Sequence, residues 1–184
     1  MKAESEKTPS AGVALVPTVV IDTREQKPLE FSRLVTIRGT LQTGDYSVLG
    51  LESMAVVERK SVPDMVNSLT GERARFMAEM ERMRGIWFRR LVVIGSPMDL
   101  QSVLSRRRVS LDAVTGSLAK LDAICPLAWF PTPEAAARQI EAWFACLWAD
   151  KCQQLGVKVR QPEWAREGIM SRWNAACYQG GRKV

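Results

Sequence analysis

The apolar run Ala55-Val56-Val57 leads directly into Glu58-Arg59-Lys60. β-Branched residues favour a pleated strand, in which residues i and i+2 face the same side. Glu58 and Lys60 therefore share one face and Arg59 takes the other. Three consecutive charges are unfavourable at the end of a buried strand unless that end opens on a cleft. The chain must supply a sheet that is covered along this strand and open where it ends.

The neighbouring sequence supplies such a sheet. Val16–Asp22 reads as a buried strand ending in an acid, and Thr23–Phe31 as a loop. Leu34–Leu41 reads as a second strand. Tyr46–Leu51 and Ala55–Lys60 follow Gly44 as two strands joined by a turn around Gly50–Ser53. Pro63 opens a helix with Met65, Val66 and Leu69 on its apolar side. Phe76, Met77, Met80 and Met83 continue at helical spacing to Gly85, with Arg75 and Glu79 as an i,i+4 pair. Arg90–Gly95 is an apolar strand and Met98–Leu104 a short helix before the loop Arg106–Arg108. Ser110 caps a helix striped by Leu111, Val114, Leu118 and Leu121. Leu127–Phe130 is a short strand. Thr132-Pro133-Glu134 starts a helix with Ile140, Trp143, Phe144, Leu147 and Trp148 on its apolar face, stopping at Gly156. This order predicts an α/β fold, a central mixed β-sheet flanked by helices. Residues 1–15 read as a disordered lead, 16–155 as the main domain, and 156–184 as a basic, tryptophan-containing extension.

Composition narrows the chemistry. The chain contains no histidine. That removes Ser-His-Asp and Cys-His catalysis, histidine acid–base chemistry and histidine-metal sites. Cys125, Cys146, Cys152 and Cys177 form no Cys-x-x-Cys pair, so no zinc site is expected and the thiols read as free and buried. No stretch reaches the roughly 20 apolar residues of a membrane span. Pro17 interrupts the run Ala11–Ile21, and Glu4 and Glu6 spoil a basic leader, so an intracellular, cytoplasmic protein is expected. The net charge is +6, of which +5 falls in residues 151–184: Lys151, Lys158, Arg160, Arg166, Arg172, Arg182 and Lys183 against Glu163 and Glu167. A basic tail beside a near-neutral body points to a polyanion partner.

Acids gather at the strand ends: Asp22, Asp45 after Gly44, and Glu58 with Lys60. Carboxylates in such a set hold magnesium or manganese, hard cations that prefer oxygen ligands. A bound cation of this kind acidifies a water and offsets phosphoryl charge. A nearby lysine orients that water or stabilises the charge on the phosphate.

Gly44-Asp45-Tyr46, then Glu58-Arg59-Lys60-Ser61, then Asp64, resembles the nuclease signature of the XPF family, which includes the archaeal Hef nuclease. Val20-Ile21-Asp22-Thr23-Arg24-Glu25 resembles the family's opening strand and loop. Ser68-Leu69 and Arg75-Phe76…Glu79…Arg82-Met83 resemble its following helix. The likeness covers roughly Val16 to Asp150. It implies a restriction-endonuclease-like core and a metal-dependent endonuclease that cuts branched DNA (flaps, forks, gaps) in recombination or repair. Carried over by residue, Asp22, Asp45 and Glu58 are the acidic group and cation ligands, the Arg59 carbonyl adds a ligand, and Lys60 is the catalytic lysine. Arg24, Glu25 and Asp64 support the site or the scissile phosphate. Arg75 is the helix arginine at the cleft, with Arg73 its rival, because Gly71-Glu72-Arg73-Ala74-Arg75 exceeds the common family spacing. Arg24, Arg59, Arg73 and Arg75 are the candidate DNA contacts. Family members pair through their nuclease domains, so a homodimer is expected. Residues 151–184 are too few for the tandem helix-hairpin-helix repeats usual in the family, which leaves the choice of DNA open. The chain resembles the compact stand-alone versions of phages and bacteria.

Two further basic groups are candidate phosphate contacts: Arg82, Arg84, Arg89 and Arg90, and Arg106–Arg108. The tail mixes Trp164, Arg166, Arg172, Trp173 and Tyr178, suited to stacking on unpaired bases, to docking on the body or to pairing. The stripe Ile140, Trp143, Phe144 and Leu147 reads as core or dimer interface. A non-catalytic DNA-binding or scaffold subunit is the alternative, against which the retained acids argue. A small-molecule phosphohydrolase would need a glycine-rich phosphate loop, and none is present.

Overall fold

The fold is seen in a computed structural model, which describes residues 16–159 and 161–167. The lead 1–15 and most of the tail, Arg172, Trp173 and Tyr178 included, lie outside the described residues. Six strands form one sheet: β1 Thr18–Asp22, β2 Val35–Gly39, β3 Tyr46–Val48, β4 Ala55–Ser61, β5 Phe88–Ile94 and β6 Leu127–Phe130. Their order is β2-β1-β3-β4-β5-β6. β3 runs antiparallel to β1 and β4, while β1–β2, β4–β5 and β5–β6 are parallel. The sheet is therefore mixed, with helices on both faces, as the α/β reading of the sequence expects.

Strand alternation sends two apolar sets to opposite faces. On one face Val56, Leu91 and Val93 meet Met65, Val66, Leu69, Phe76, Met80 and Met83. These come from α1 Val62–Thr70 and α2 Arg73–Met83, with α3 Pro97–Arg107 and α4 Leu111–Ile124 outside them. On the other face Val19, Ile21, Tyr46, Val57 and Val92 pack against α5, Pro133–Gln154. Ile140, Trp143, Phe144 and Leu147 are buried in this second core. The α5 stripe is thus core, and Trp143 meets Phe88 and Phe130 edge-on. No helix among the described residues is long and apolar enough to cross a membrane.

The helix starts follow local chemistry. Ser61, Ser96, Ser110 and Thr132 each accept the backbone N–H three residues on, and Pro63, Pro97 and Pro133 stand in first turns. Three expectations are corrected. The stretch from Pro63 to Gly85 is two helices, because Gly71 bonds back to Asn67 and Glu72 leaves helical geometry (φ −117°, ψ 25°). The break re-aims α2, so that Phe76, Met80 and Met83 turn to the sheet. Arg106 and Arg107 belong to α3, and Arg108 is its left-handed cap. The second strand is shorter than Leu34–Leu41. Its residues are mostly exposed because β2 is the sheet edge, and the flanking Leu34 and Leu41 are buried instead.

β1 and β2 are parallel, so the chain must cross over between them, and it does so without a helix. Two side-chain acceptors pin that crossover. Leu29 donates its N–H to the Tyr46 hydroxyl at 3.0 Å. Arg33 and Leu34 donate theirs to Glu141 Oε1 at 2.6 and 3.2 Å. Glu141 is fully buried on α5, a position that α5's own periodicity did not mark as special. Glu141→Ala would orphan both N–H groups, at about 1–3 kcal/mol for each donor left buried. Denaturant melts should show a loss of about 2–6 kcal/mol on the same basis, and a loss under about 0.5 kcal/mol would mean that the crossover finds other acceptors.

Candidate active site

Strand ends converge where β1, β3 and β4 meet. Gly44 adopts φ +77°, and a Cβ there would lie 2.2 Å from Val56 Cγ2. Only glycine fits both the conformation and the space. The next residue is stitched on both sides: the Asp45 N–H donates to the Val57 carbonyl, and the Asp45 carbonyl accepts from the Asp22 N–H, each at 2.8 Å. Its carboxylate then accepts the Arg59 backbone N–H at 2.7 Å through Oδ2. The other oxygen, Oδ1, has no hydrogen-bond partner among the described residues.

Tyr46, though part of the same motif, turns into the α5-side core and is fully buried against the ring of Phe31. Its role is structural. The strand period divides Glu58-Arg59-Lys60 in the same way. Glu58 Oε1 and Lys60 Nζ lie 3.1 Å apart on one face. The Arg59 guanidinium lies on the other, forked onto both Glu25 oxygens at 3.1 Å. Glu25 also accepts the Lys27 N–H. The structure therefore places the Arg59 side chain in a mostly buried ion pair, turned away from the acids, which leaves its backbone for the cleft side.

Asp22 is buried and its oxygens are engaged. It accepts from the Arg24 N–H, from Arg24 Nε at 2.7 Å and Nη2 at 3.1 Å, and from the Leu41 N–H at 2.7 Å. Burial is the largest influence on this carboxyl and pushes its pKa up, but these donors outweigh it and hold the pKa below the ordinary value. Arg24 remains 66% exposed and so reaches the rim.

Asp45 and Glu58 behave differently. Burial first, with Glu25's charge adding, pushes Asp45 up to about 6, although the Arg59 N–H pulls it down. Burial and then the Asp45 charge push Glu58 up to about 8, despite Lys60. The Lys60 pKa is itself raised, because Glu58 outweighs a burial that acts to lower it. The two partners look contradictory until the other acids are counted. Asp45, Glu58 and Glu79 all act on one ammonium, which stays protonated while the crowded carboxyls resist ionising. Such a pair of buried carboxyls suits a divalent cation held by oxygen ligands. Asp45 and Glu58 could hold it, with the Arg59 carbonyl beside them. Among the described residues no three acidic or thiol side chains are grouped closely enough to hold one directly.

The remaining sequence candidates fall elsewhere. Asp64 is exposed at the start of α1, where it is bonded to Ser61 Oγ at 2.6 Å. Arg73 donates to Ser117 Oγ on α4. Arg75 is 80% exposed and lies 3.6 Å from Glu72, in place of the expected Arg75–Glu79 pair. Arg89 donates to the carbonyls of Ile86 and Ile124, Arg90 lies over Phe88 and Trp143, and Arg84 pairs with Glu81. Arg107 donates to Asn67. These arginines hold the body together more than they form an open patch. Trp164 docks under Arg33 at 5.2 Å.

Two residues were not read from the sequence as acting on the site. Arg38 Nη1 donates to the carbonyls of Asp22 and Glu25 at 2.9 and 3.0 Å and so fixes the loop between them. Nothing in its local sequence marks it. Glu79 acts electrostatically on Glu58, Lys60 and Arg24. Its spacing of three from Phe76 was a usable signal.

The raised carboxyls give a pH dependence. Glu58 moves from 4.5 to about 8 on folding, and Asp45 from 3.8 to about 6. Between those limits the folded chain binds more protons than the unfolded chain, so stability is greatest at the acid side and falls as pH rises. Chelator-treated protein should lose melting temperature from about pH 5 to about pH 8, and Glu58→Gln should flatten that slope. A wild-type melting temperature that is constant or rises across the window would contradict the assignment.

Comparison with known proteins bears on the family and the fold. The ERCC4 domain family matches residues 21–142, more than half of the chain. No curated protein matches it. A structure of XPF from Aeropyrum pernix in complex with DNA shares the fold with a TM-score of 0.55 and 20% identity, over 91% of this chain and 76% of that one. A second structure of XPF from Aeropyrum pernix gives 0.54 and 21%, over 91% and 77%. The fold is thus XPF-like, with the restriction-endonuclease-like mixed sheet, and the chain belongs to the ERCC4, or XPF-type, nuclease-domain family.

Proposed function

We propose that this chain is a metal-dependent DNA endonuclease hydrolysing phosphodiester bonds in branched DNA (flaps, forks or gaps) during recombination or repair. The observation that supports it most is the convergence of Asp45, Glu58 and Lys60 on one face at the mouth of the sheet. A relative in fold, XPF from Aeropyrum pernix, has been seen in complex with DNA.

Magnesium or manganese at Asp45 and Glu58, with the Arg59 carbonyl and Asp22 adjoining, would acidify a water and offset charge on the phosphate. The chain's own groups divide the remaining work. Lys60 stays protonated, so it stabilises phosphate charge and orients the water instead of accepting a proton. Phe76 lies 5.0 Å from the ammonium and walls it from solvent on the helix side. Arg24, fixed at its root by Asp22 and exposed at its tip, is placed to meet a phosphate oxygen. Glu25, Arg59 and Arg38 hold the loop that carries Arg24. A homodimer belongs to the proposal through the family resemblance alone, because the α5 stripe is buried in the core. Sedimentation of the purified chain measures it.

Labelled forked, flapped and linear DNA incubated with magnesium or manganese tests the activity. Asp45→Ala and Lys60→Ala should each lower the cutting rate by at least about 100-fold, the scale for loss of one group that stabilises developing charge. Both variants should keep the wild-type circular dichroism spectrum. DNA that is bound but never cut, in either metal, would favour the non-catalytic scaffold instead.

A further inference from the structure

Asp22 is gripped by two arginines, one through its carboxylate and one through its carbonyl. The carboxylate takes Arg24, Nε to Oδ1 at 2.7 Å and Nη2 to Oδ2 at 3.1 Å. Arg24 Nη2 donates a second time, to the Leu41 carbonyl at 2.8 Å. Of the three guanidinium nitrogens only Nη1 has no hydrogen-bond partner among the described residues. An exposed arginine ordinarily gives up rotamer freedom when it binds an anion. Arg24 is 66% exposed, yet it has given that freedom up on folding, with one nitrogen left to offer. The orientation lasts only while Asp22 and Leu41 keep their places relative to each other.

Those two residues lie on neighbouring stretches of chain. The parallel pairing of β1 with β2 ends at Asp22 and Gly39. Past it, the Thr23 N–H donates to the Gly39 carbonyl at 3.1 Å, and the Leu41 N–H to Asp22 Oδ2 at 2.7 Å. The chain then turns, and the Glu25 N–H comes back to the Asp22 carbonyl at 3.1 Å. Arg38 Nη1 lies 2.9 Å from the Asp22 carbonyl oxygen and 3.0 Å from that of Glu25, so the turn brings these two oxygens together. Like partial charges so placed repel unless a donor stands between them. Arg38 is that donor, and it belongs to the edge strand β2. One nitrogen thus ties the sheet edge to both ends of the turn that carries Arg24.

We propose that Arg38 is a positioning residue for DNA binding that acts through Arg24: by clamping the Asp22 and Glu25 carbonyls it holds the turn so that Arg24 presents Nη1 to a backbone phosphate. The inference rests on the nuclease reading given above and deepens it by giving the edge strand β2 a part in substrate binding. Arg38 does not itself touch the DNA.

A double-mutant cycle on the full chain tests this, read as the fluorescence anisotropy of a labelled forked DNA in chelator, so that nothing is cut. Arg24→Ala should weaken binding about 10-fold, the scale for loss of one hydrogen bond to a charged group. Arg38→Met, which keeps an unbranched stem and removes every donor, should weaken it about 5-fold, within the coupling expected inside one hydrogen-bond network. Added to Arg24→Ala, Arg38→Met should cost less than about 2-fold more, because the residue it positions is already gone. Should Arg38→Met fail to fold, Arg38→Gln takes its place in the cycle. Arg38→Lys keeps an ammonium that can donate to both carbonyls, and it should bind within about 2-fold of wild type, the limit for an interaction left intact. Losses that multiply in the double variant overturn the proposal, since Arg38 would then touch the DNA itself or act on the fold at large. Wild-type affinity in Arg24→Ala, or Arg38→Lys no tighter than Arg38→Met, overturns it as well. A wild-type chain that binds neither forked nor linear DNA sinks the nuclease reading and this proposal with it, whereas multiplying losses in a chain that binds DNA sink this proposal alone.

Discussion

The Asp45 backbone is the point from which the rest of the site is hung. Its N–H and C=O tie β4 to β1 across the short β3, and its carboxylate takes the Arg59 N–H as β4 leaves the core. Three bonds of 2.7–2.8 Å on one residue fix the separation of the strand ends that carry Asp22 and Glu58. They form only because Gly44 has no Cβ to strike Val56. A side chain there would push β3 off β4, and the acids would separate with it.

Around this stitch the structure separates charges that must be neutral from charges that must not be. On the α5 side, Arg59 and Glu25 close a bidentate pair, and Arg38 ties its loop to the end of β1. Asp22 is spent on Arg24 and Leu41 and stiffens the turn. On the α2 side, Glu58 meets the Lys60 ammonium while the Asp45 carboxylate has no cationic side chain of its own. Burial makes that excess costly, which shows in the raised Glu58 and Asp45. The cation and phosphate of the proposed function would relieve that cost.

The sequence was legible wherever the governing interaction is local. Alternation placed Glu58 with Lys60 and set Arg59 apart. Ser110 and Thr132 announced their helices, and Gly44 announced a turn. Legibility failed where the partner is distant in the chain. Glu25 to Arg59 spans 34 residues, and Glu141 to Arg33 spans 108. The exposure of β2 depends on which strand ends at the sheet edge, which no local pattern records. The break at Gly71-Glu72 was read as extra spacing, and it is the Gly71 N–H bonded back to Asn67 and the non-helical Glu72 that make two helices there.

The residue types and their order thus determined by themselves that carboxylates and a lysine end on one strand face, and that histidine chemistry is excluded. Periodicity suffices for that, because side-chain direction in a strand repeats every two residues. Tertiary structure alone decided which charges are used up in ion pairs and which remain. It turned Arg59 to Glu25 and Arg73 to Ser117, and buried Tyr46. Those outcomes depend on distances between elements, and pairing energies in a partly buried cleft depend on distance and desolvation together.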